Sequence, residues 1–292
     1  MMQPAQLEEA MAAARRVAEQ LRLPLGARSW KGQAGDFHGV GVGSSIDFQD
    51  HRDYAPGDDP RHLNWQAFAR TGQYTMKLYR EEVRPVLDLL VDVSDSMWVG
   101  DGKGRRTAEL VYFFVLNAER HGASLRVHLV KGREVKIVPN EMVLSHDWLG
   151  EVETMNGSDE PPCLIRAALR ANAIRVLLSD LLYQGEPGPL LKHLHDRQGK
   201  GLVFCPFTRK EANPGWLGQY DFVDAETGRR HSHQISKAAL QRYLQAYQRH
   251  FSLWREECRR QQILLNRVDC EGNLLESLNQ EAVRLGALEV RL

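Results

Sequence analysis

Five short apolar runs, at residues 86–91, 125–130, 135–138, 174–178 and 202–207, are spaced by stretches of helical character. This alternation constrains the chain more than any other feature. Strand and helix in turn build an α/β sheet, because a strand that pairs in parallel with the next one needs a crossover to return. Between the first two runs, Leu110, Val111, Phe113, Phe114, Val115 and Leu116 are too continuously apolar for a surface helix, so residues 107–121 are expected as a helix pressed between the sheet and a neighbour. The gap between Val130 and Val135 holds Gly132 and is short enough for a hairpin, which adds one antiparallel edge strand. The expected class is α/β: a mostly parallel, Rossmann-like sheet with helices on both faces.

The rest of the chain is organised around that sheet. Leu7, Ala10, Met11, Ala14, Val17, Ala18 and Leu21 recur at helical spacing and stop before Pro24 and Gly26, so an amphipathic helix opens the chain. Residues 26–48 are dense in glycine and read as loop. Within them Gly39-Val40-Gly41-Val42-Gly43 invites a phosphate-loop reading, but no strand precedes it, no helix start follows and no Lys-Ser/Thr pair closes it. Residues 1–79 are therefore taken as an N-terminal helical and irregular extension. Residues 80–292 are taken as the sheet domain, which ends with a long helix traced by Leu240, Tyr243, Leu244, Tyr247, Phe251, Trp254 and Cys258. In between, Asn213-Pro214-Gly215-Trp216 reads as a turn and residues 221–225 as an edge strand.

Composition excludes several classes. Lys plus Arg equals Asp plus Glu at 38 each, so the overall field does not recruit nucleic acid and a charged partner must be met locally. Cys163, Cys205, Cys258 and Cys270 show no metal-like spacing and are expected reduced and mostly buried. No apolar run approaches the roughly 20 residues of a membrane span, and residues 1–9 lack a basic-then-apolar export pattern. A cytoplasmic protein is expected.

Chemistry concentrates where the first apolar run ends, at Asp92-Val93-Ser94-Asp95-Ser96-Met97. Oxygen side chains at alternate positions of a strand-end loop suit a hard cation: Mg²⁺ takes near-octahedral oxygen ligands and keeps several waters, so Asp92, Ser94 and Ser96 can hold it with room for an incoming acid. Open α/β sheets bind ligands at the carboxyl ends of strands where the winding reverses. Ser179-Asp180 ends the 174–178 run. If the two strands are neighbours, Asp92 and Asp180 face one crevice, and their mutual repulsion calls for a cation between them. The same loop also makes sense as a strand-to-helix turn with capping hydroxyls and no metal.

The D-x-S-x-S loop, the buried helix after it and the later Ser-Asp resemble a von Willebrand factor A-like domain with a metal-ion-dependent adhesion site. Upstream, Tyr54-Ala55-Pro56-Gly57-Asp58-Asp59-Pro60-Arg61-His62-Leu63-Asn64-Trp65 and then Ala69-Arg70-Thr71-Gly72 resemble the signature of a bacterial family labelled only as a domain of unknown function, DUF58. The resemblance covers about residues 48–207. It implies a von Willebrand factor A-like sheet, a MoxR-type AAA+ ATPase as partner and a role in remodelling or maturing other proteins. It also implies a threonine in a second metal loop, and register with a helix at Ala167-Ala168-Leu169 puts Cys163 there. A thiol is a poor Mg²⁺ ligand, so the implied site is weakened; Ser158 or Asp159 would supply an oxygen if the loop turned inward. Asn64 stands where the family commonly has an acid, which implies a lost ion pair near Trp65.

Other polar features have plainer readings. Arg52, Arg61 and Arg70 lie among Asp47, Asp50, Asp53, Asp58 and Asp59 and are expected to pair internally. Trp65 and Phe68 are expected to anchor their turn to a core. The pairs His193/His195 and His231/His233 lack the spacing or third donor of a metal site and are expected on the surface. Two function classes remain. One is a non-enzymatic, metal-dependent interaction module built on Asp92, Ser94, Ser96 and Asp180. The other is a metal-assisted phosphatase with Asp92 as nucleophile, although such chemistry wants a second acid two residues on and Ser94 stands there.

Overall fold

A computed structural model of the chain describes residues 2–25, 48–56, 58–79, 84–157 and 160–291. The chain divides into two compact units: residues 1–26 together with 85–292, and residues 27–84. The opening helix, grouped on sequence with the signature segment, belongs to the larger unit.

In that unit the five runs become strands β1 (Val86–Asp92), β2 (Ser124–Lys131), β3 (Glu134–Val138), β4 (Ile174–Leu178) and β5 (Lys200–Phe207), joined by β6 (Leu264–Asp269). They form one sheet in the order β6-β5-β4-β1-β2-β3. All neighbours run parallel except β3, which returns antiparallel to β2. The mixed α/β class, the mostly parallel sheet and the antiparallel edge strand are as expected. Strand β6 is not among the expected runs, because Asn266, Arg267 and Asp269 interrupt its apolar pattern.

Strands covered on both faces need no polar alternation, and every residue of β1 after Val86 is buried. Helices α1 (Pro4–Gln20) and α2 (Gly100–Arg120) stack on one face. Phe114 of α2 meets Phe204 of β5 edge to face, with centroids 4.9 Å apart. Helix α1 covers α2 with Leu7, Ala10, Ala14, Val17 and Ala18, and Arg120 donates to the Ala18 carbonyl at 3.0 Å. That sandwich is why residues 110–116 are apolar all round. On the other face Leu90, Leu177, Val203 and Leu265 stand in register across β1, β4, β5 and β6. They pack with Leu191 and Leu194 of α3 (Pro187–His195) and with Phe251 and Trp254 of α4 (Lys237–Arg260).

Three local expectations need correction. Helix α2 starts at Gly100, not at 107. Ala167-Ala168-Leu169 is not helical; only Leu164–Arg166 forms a 3₁₀ turn. The Ala167 and Leu169 amides make turn bonds to the Leu164 and Ala167 carbonyls, and side chains take the groups around them: the Ala168 carbonyl accepts from Arg126 at 2.8 Å, the Arg170 carbonyl from Arg175 at 2.8 Å, and the Arg170 N–H donates to Asp88 at 2.8 Å. Residues 221–225 do not join the sheet edge. Gly218–Val223 and Arg230–Ile235 form a separate antiparallel hairpin, with His231 and His233 exposed on it as expected. Among the described residues no helix is long and apolar enough to cross a membrane. Cys205, Cys258 and Cys270 are buried and free, and Cys163 is half-buried and free.

In the smaller unit Phe48–Asp53 pairs antiparallel with Thr75–Tyr79, and helix Trp65–Thr71 lies between them in sequence. Asn64 is that helix's cap, its Oδ1 accepting from the Ala67 N–H at 3.2 Å. Trp65 does not anchor the turn: it is 57% exposed, with its ring edge-on to Phe68, which stacks on Tyr74 at 4.4 Å. Arg52 pairs with Asp58 at 2.6 Å and Arg61 with Asp59 at 2.7 Å, as expected. The glycine-rich residues 26–47, Gly57, Ser158 and Asp159 lie outside the described residues.

Candidate functional site

The sheet order puts β2 on one side of β1 and β4 on the other, so the winding reverses between β1 and β4. Loops leaving those two carboxyl ends diverge and open a crevice. Asp92 closes β1, and Ser179 and Asp180 follow β4 directly. The hydroxyl of Ser179 donates to Asp92 Oδ2 at 2.7 Å, and the Ser94 N–H donates to Asp92 Oδ1 at 3.0 Å. The hydroxyls of Ser94 and Ser96 lie 3.1 Å apart at the start of a 3₁₀ turn, Asp95–Trp98. Asp92, Ser94, Ser96 and Asp180 thus meet at one end of the sheet, as the sequence implies.

The two carboxylates are in different electrostatic states. Asp92 is 1% exposed, and its carboxyl is pushed up to about 6, first by burial and then by the charge on Asp180, against the lowering effect of its hydrogen bonds from Ser179 and Ser94. It has no ion-pair partner among the described residues. Asp180 has one: the ammonium of Lys103, from the first turn of α2, lies 3.0 Å from its Oδ2 and also pairs with Glu211. Burial works to lower the Lys103 pKa, but Asp180 and Glu211 together outweigh it and hold the group above the usual lysine range. The other Asp180 oxygen accepts from the Leu182 N–H at 3.0 Å. Between them Leu181 sits at φ 58°, a left-handed conformation that is costly for a leucine and marks the sharp turn presenting Asp180. A cation beside Asp180 is therefore supplied by the protein itself.

Cys163 lies beside the β2–β3 turn, its N–H donating to the Gly132 carbonyl at 2.8 Å. Among the described residues no hydrogen bond joins its thiol to Asp92, Ser94 or Ser96. Nor do three or more His, Cys, Asp and Glu side chains gather there as a metal cluster. An ion at this end would rest on Asp92 and the serine hydroxyls. These donors fit Mg²⁺ in type, being hard oxygens with lone pairs to spare. The hydroxyl of Tyr183 is buried without a hydrogen-bond partner, and its pKa is driven up by burial and then by Asp92 and Asp180.

Two residues of this site carry no sequence signal. Lys103 hides in a glycine-rich stretch. Glu226 comes from the tip of the separate hairpin, and its carboxylate accepts from the Asp95 N–H at 3.1 Å and the Ser96 N–H at 2.9 Å.

The family model described as "Protein of unknown function DUF58" matches residues 50–252, from the first strand of the smaller unit into α4. No curated protein matches the chain. Two solved structures are similar. One is described as an aerotolerance-related membrane protein from Bacteroides fragilis NCTC 9343 with multiple mutations to serines; it is 13% identical over 68% of this chain and 99% of its own, with a TM-score of 0.37. The other is the conserved hypothetical protein BatB from Bacteroides thetaiotaomicron, 11% identical over 69% of this chain and 98% of its own, with a TM-score of 0.38.

Proposed function

The chain belongs to the DUF58 family, and on that premise we propose that its sheet unit is a von Willebrand factor A-like interaction module. It holds Mg²⁺ on Asp92, Ser94 and Ser96 and works with a MoxR-type AAA+ ATPase in remodelling or maturing a client protein. The observation that carries this reading is Asp92: a carboxylate 1% exposed and without an ion pair among the described residues, beside hydroxyls 3.1 Å apart, where the sheet reverses its winding. When bound, the ion supplies an open coordination position for a partner's acidic side chain. The protein's own groups prepare the site. Ser179 and the Ser94 amide fix the direction of the Asp92 carboxylate. Lys103 neutralises Asp180, so that residue acts on the site through charge balance. Cys163 adds nothing to the coordination, since a thiol binds Mg²⁺ poorly. The phosphatase alternative has less support, because a hydroxyl stands at position 94 where an acid and base are needed.

Calorimetry with Mg²⁺ on wild type and Asp92→Ala, with capture of the MoxR-type ATPase in magnesium or chelator, tests this reading. Heat of binding and capture are expected for wild type and lost with Asp92→Ala, and chelator is expected to abolish capture. Capture indifferent to both changes rejects the metal bridge. Phosphatase turnover that vanishes with Asp92 transfers the assignment to the enzyme.

A further inference from the structure

The hairpin Gly218–Val223/Arg230–Ile235 has no pairing with the central sheet, and most of its residues are exposed. An isolated two-stranded hairpin is marginal in water, so this one depends on its attachments. Phe222, one residue from the turn, packs on Trp216 with centroids 5.4 Å apart, and Trp216 on Tyr243 of α4 at 5.9 Å, so one face of the hairpin rests on these aromatics. These side chains, with Ile235, Ala239 and Leu240, line a partly open apolar groove. At its tip Asp224 Oδ1 accepts from the Glu226 and Thr227 amides at 3.0 and 2.8 Å, and the Gly228 N–H donates to the Asp224 carbonyl at 2.9 Å. The tip is a formed turn that presents Glu226 outward. What it presents Glu226 to is the D-x-S-x-S loop, 130 residues away in sequence, where both carboxylate oxygens are taken by the Asp95 and Ser96 amides.

We infer that the hairpin is a tethered competitor: Glu226 holds the metal loop as an intramolecular acidic side chain, and a partner's Glu or Asp must displace it to bind. This rests on the proposed function, since the partner acid is the one that module would take. Three features converge on it. The group held against the loop is a carboxylate, the chemistry a magnesium-loaded loop accepts. Beyond the packing of Phe222 on Trp216, the described hydrogen bonds and ion pairs tie the strands and tip of the hairpin to the sheet unit through Glu226. The aromatics that seat the hairpin, Trp216, Phe222 and Tyr243, are not part of the buried core behind the sheet, so the hairpin can lift without dismantling that core. A competitor that fills a site nine-tenths of the time weakens apparent affinity about tenfold, because only the open fraction binds.

The full-length chain, its Glu226→Ala and Glu226→Gln forms, and Asp92→Ala/Glu226→Ala are compared by amide exchange and by affinity for the MoxR-type ATPase in magnesium. Exchange at Asp95 and Ser96 is expected to rise about tenfold in Glu226→Ala, with Glu226→Gln between it and wild type, since one amide oxygen still accepts. ATPase affinity is expected to rise about tenfold in Glu226→Ala, and ATPase bound to wild type is expected to speed exchange at residues 224–229. Unchanged exchange at Asp95 and Ser96, or equal affinities of wild type and Glu226→Ala, overturns the competitor. If the double variant binds as tightly as Glu226→Ala, the metal reading fails while the competitor stands.

Discussion

Asp88, Asp92 and Asp180 are all buried carboxylates, and their neighbours decide what each does. Asp88 is consumed by Arg170, whose guanidinium lies 2.7 Å away and whose N–H donates at 2.8 Å, so it is structural. Asp180 is consumed by Lys103. Asp92 has hydrogen bonds but no cation, which makes it the residue where an added charge is most favourable. Beside Asp88, His128 of β2 is fully buried, with neither ring nitrogen hydrogen-bonded. Burial pulls its pKa down from 6.5 to about 4, with Asp88 opposing and Arg126 and Arg170 assisting. A histidine buried neutral takes up its proton more readily in the unfolded chain. Its effect on stability is nil above pH 6.5 and grows as pH falls, costing roughly 2 kcal/mol by pH 5 and about 3 near pH 4. His128→Leu fills similar space without a titrating group. Urea unfolding at pH 7 and pH 5 is expected to show wild type losing about 2 kcal/mol more than the variant over that interval. Parallel losses would mean the imidazole is hydrated in solution.

At the scale of elements, legibility follows where each signal is stored. Strands β1, β2, β4 and β5 are readable because a strand buried on both faces writes its burial into its own residues. Helix α2 is readable from 107 onward for the same reason, but its first turns are not. Gly100, Gly102 and Gly104 are poor helix formers, and the structure explains two of them. A Cβ at Gly104 would stand 3.3 Å from the Trp98 ring, tighter than ordinary contact, while Gly100 sits at φ 69°, where a side chain would be strained. They let the helix begin at a left-handed residue and pass close to Trp98, and the turn they build carries Lys103 inward to Asp180, which local propensity cannot reveal. Glu226 was hidden likewise, by a contact between distant segments. The motif Asp92-x-Ser94-x-Ser96 and Asp180 were legible because strand ends locate them. If the α2 start serves to deliver Lys103, removing the ammonium leaves Asp180 buried and unpaired. Lys103→Met is expected to cost about 3 to 5 kcal/mol. Adding Asp180→Asn should recover most of it, since the carboxylate then needs no cation. A double-mutant cycle by chemical denaturation measures the coupling, and additive losses would show that the pair is not a unit.

For the molecule as a whole, the order of segments matters more than their number. The chain begins with α1, passes through residues 27–84 and returns to lay down β1, yet α1 is part of the larger unit's core. Leu21–Arg22, just after α1, pairs with Glu289–Val290 near the chain's other end. The larger unit therefore closes on itself, and the segment carrying the family signature is an insertion between the Leu21–Arg22 strand and β1. Loop-closure cost grows slowly with length, so replacing residues 27–84 with a flexible Gly/Ser linker is expected to leave cooperative thermal unfolding and Asp92-dependent Mg²⁺ binding intact. Deleting residues 2–25 removes far less chain but uncovers the apolar back of α2. That form is expected to lose its cooperative transition and bind a hydrophobic dye, because Leu7, Ala10, Ala14, Val17 and Ala18 shield a helix that is apolar all round at residues 110–116. Circular dichroism melts of the two variants distinguish core from insertion. If the linker form unfolds and the truncated form does not, the division runs the other way, and the signature segment supports the site directly.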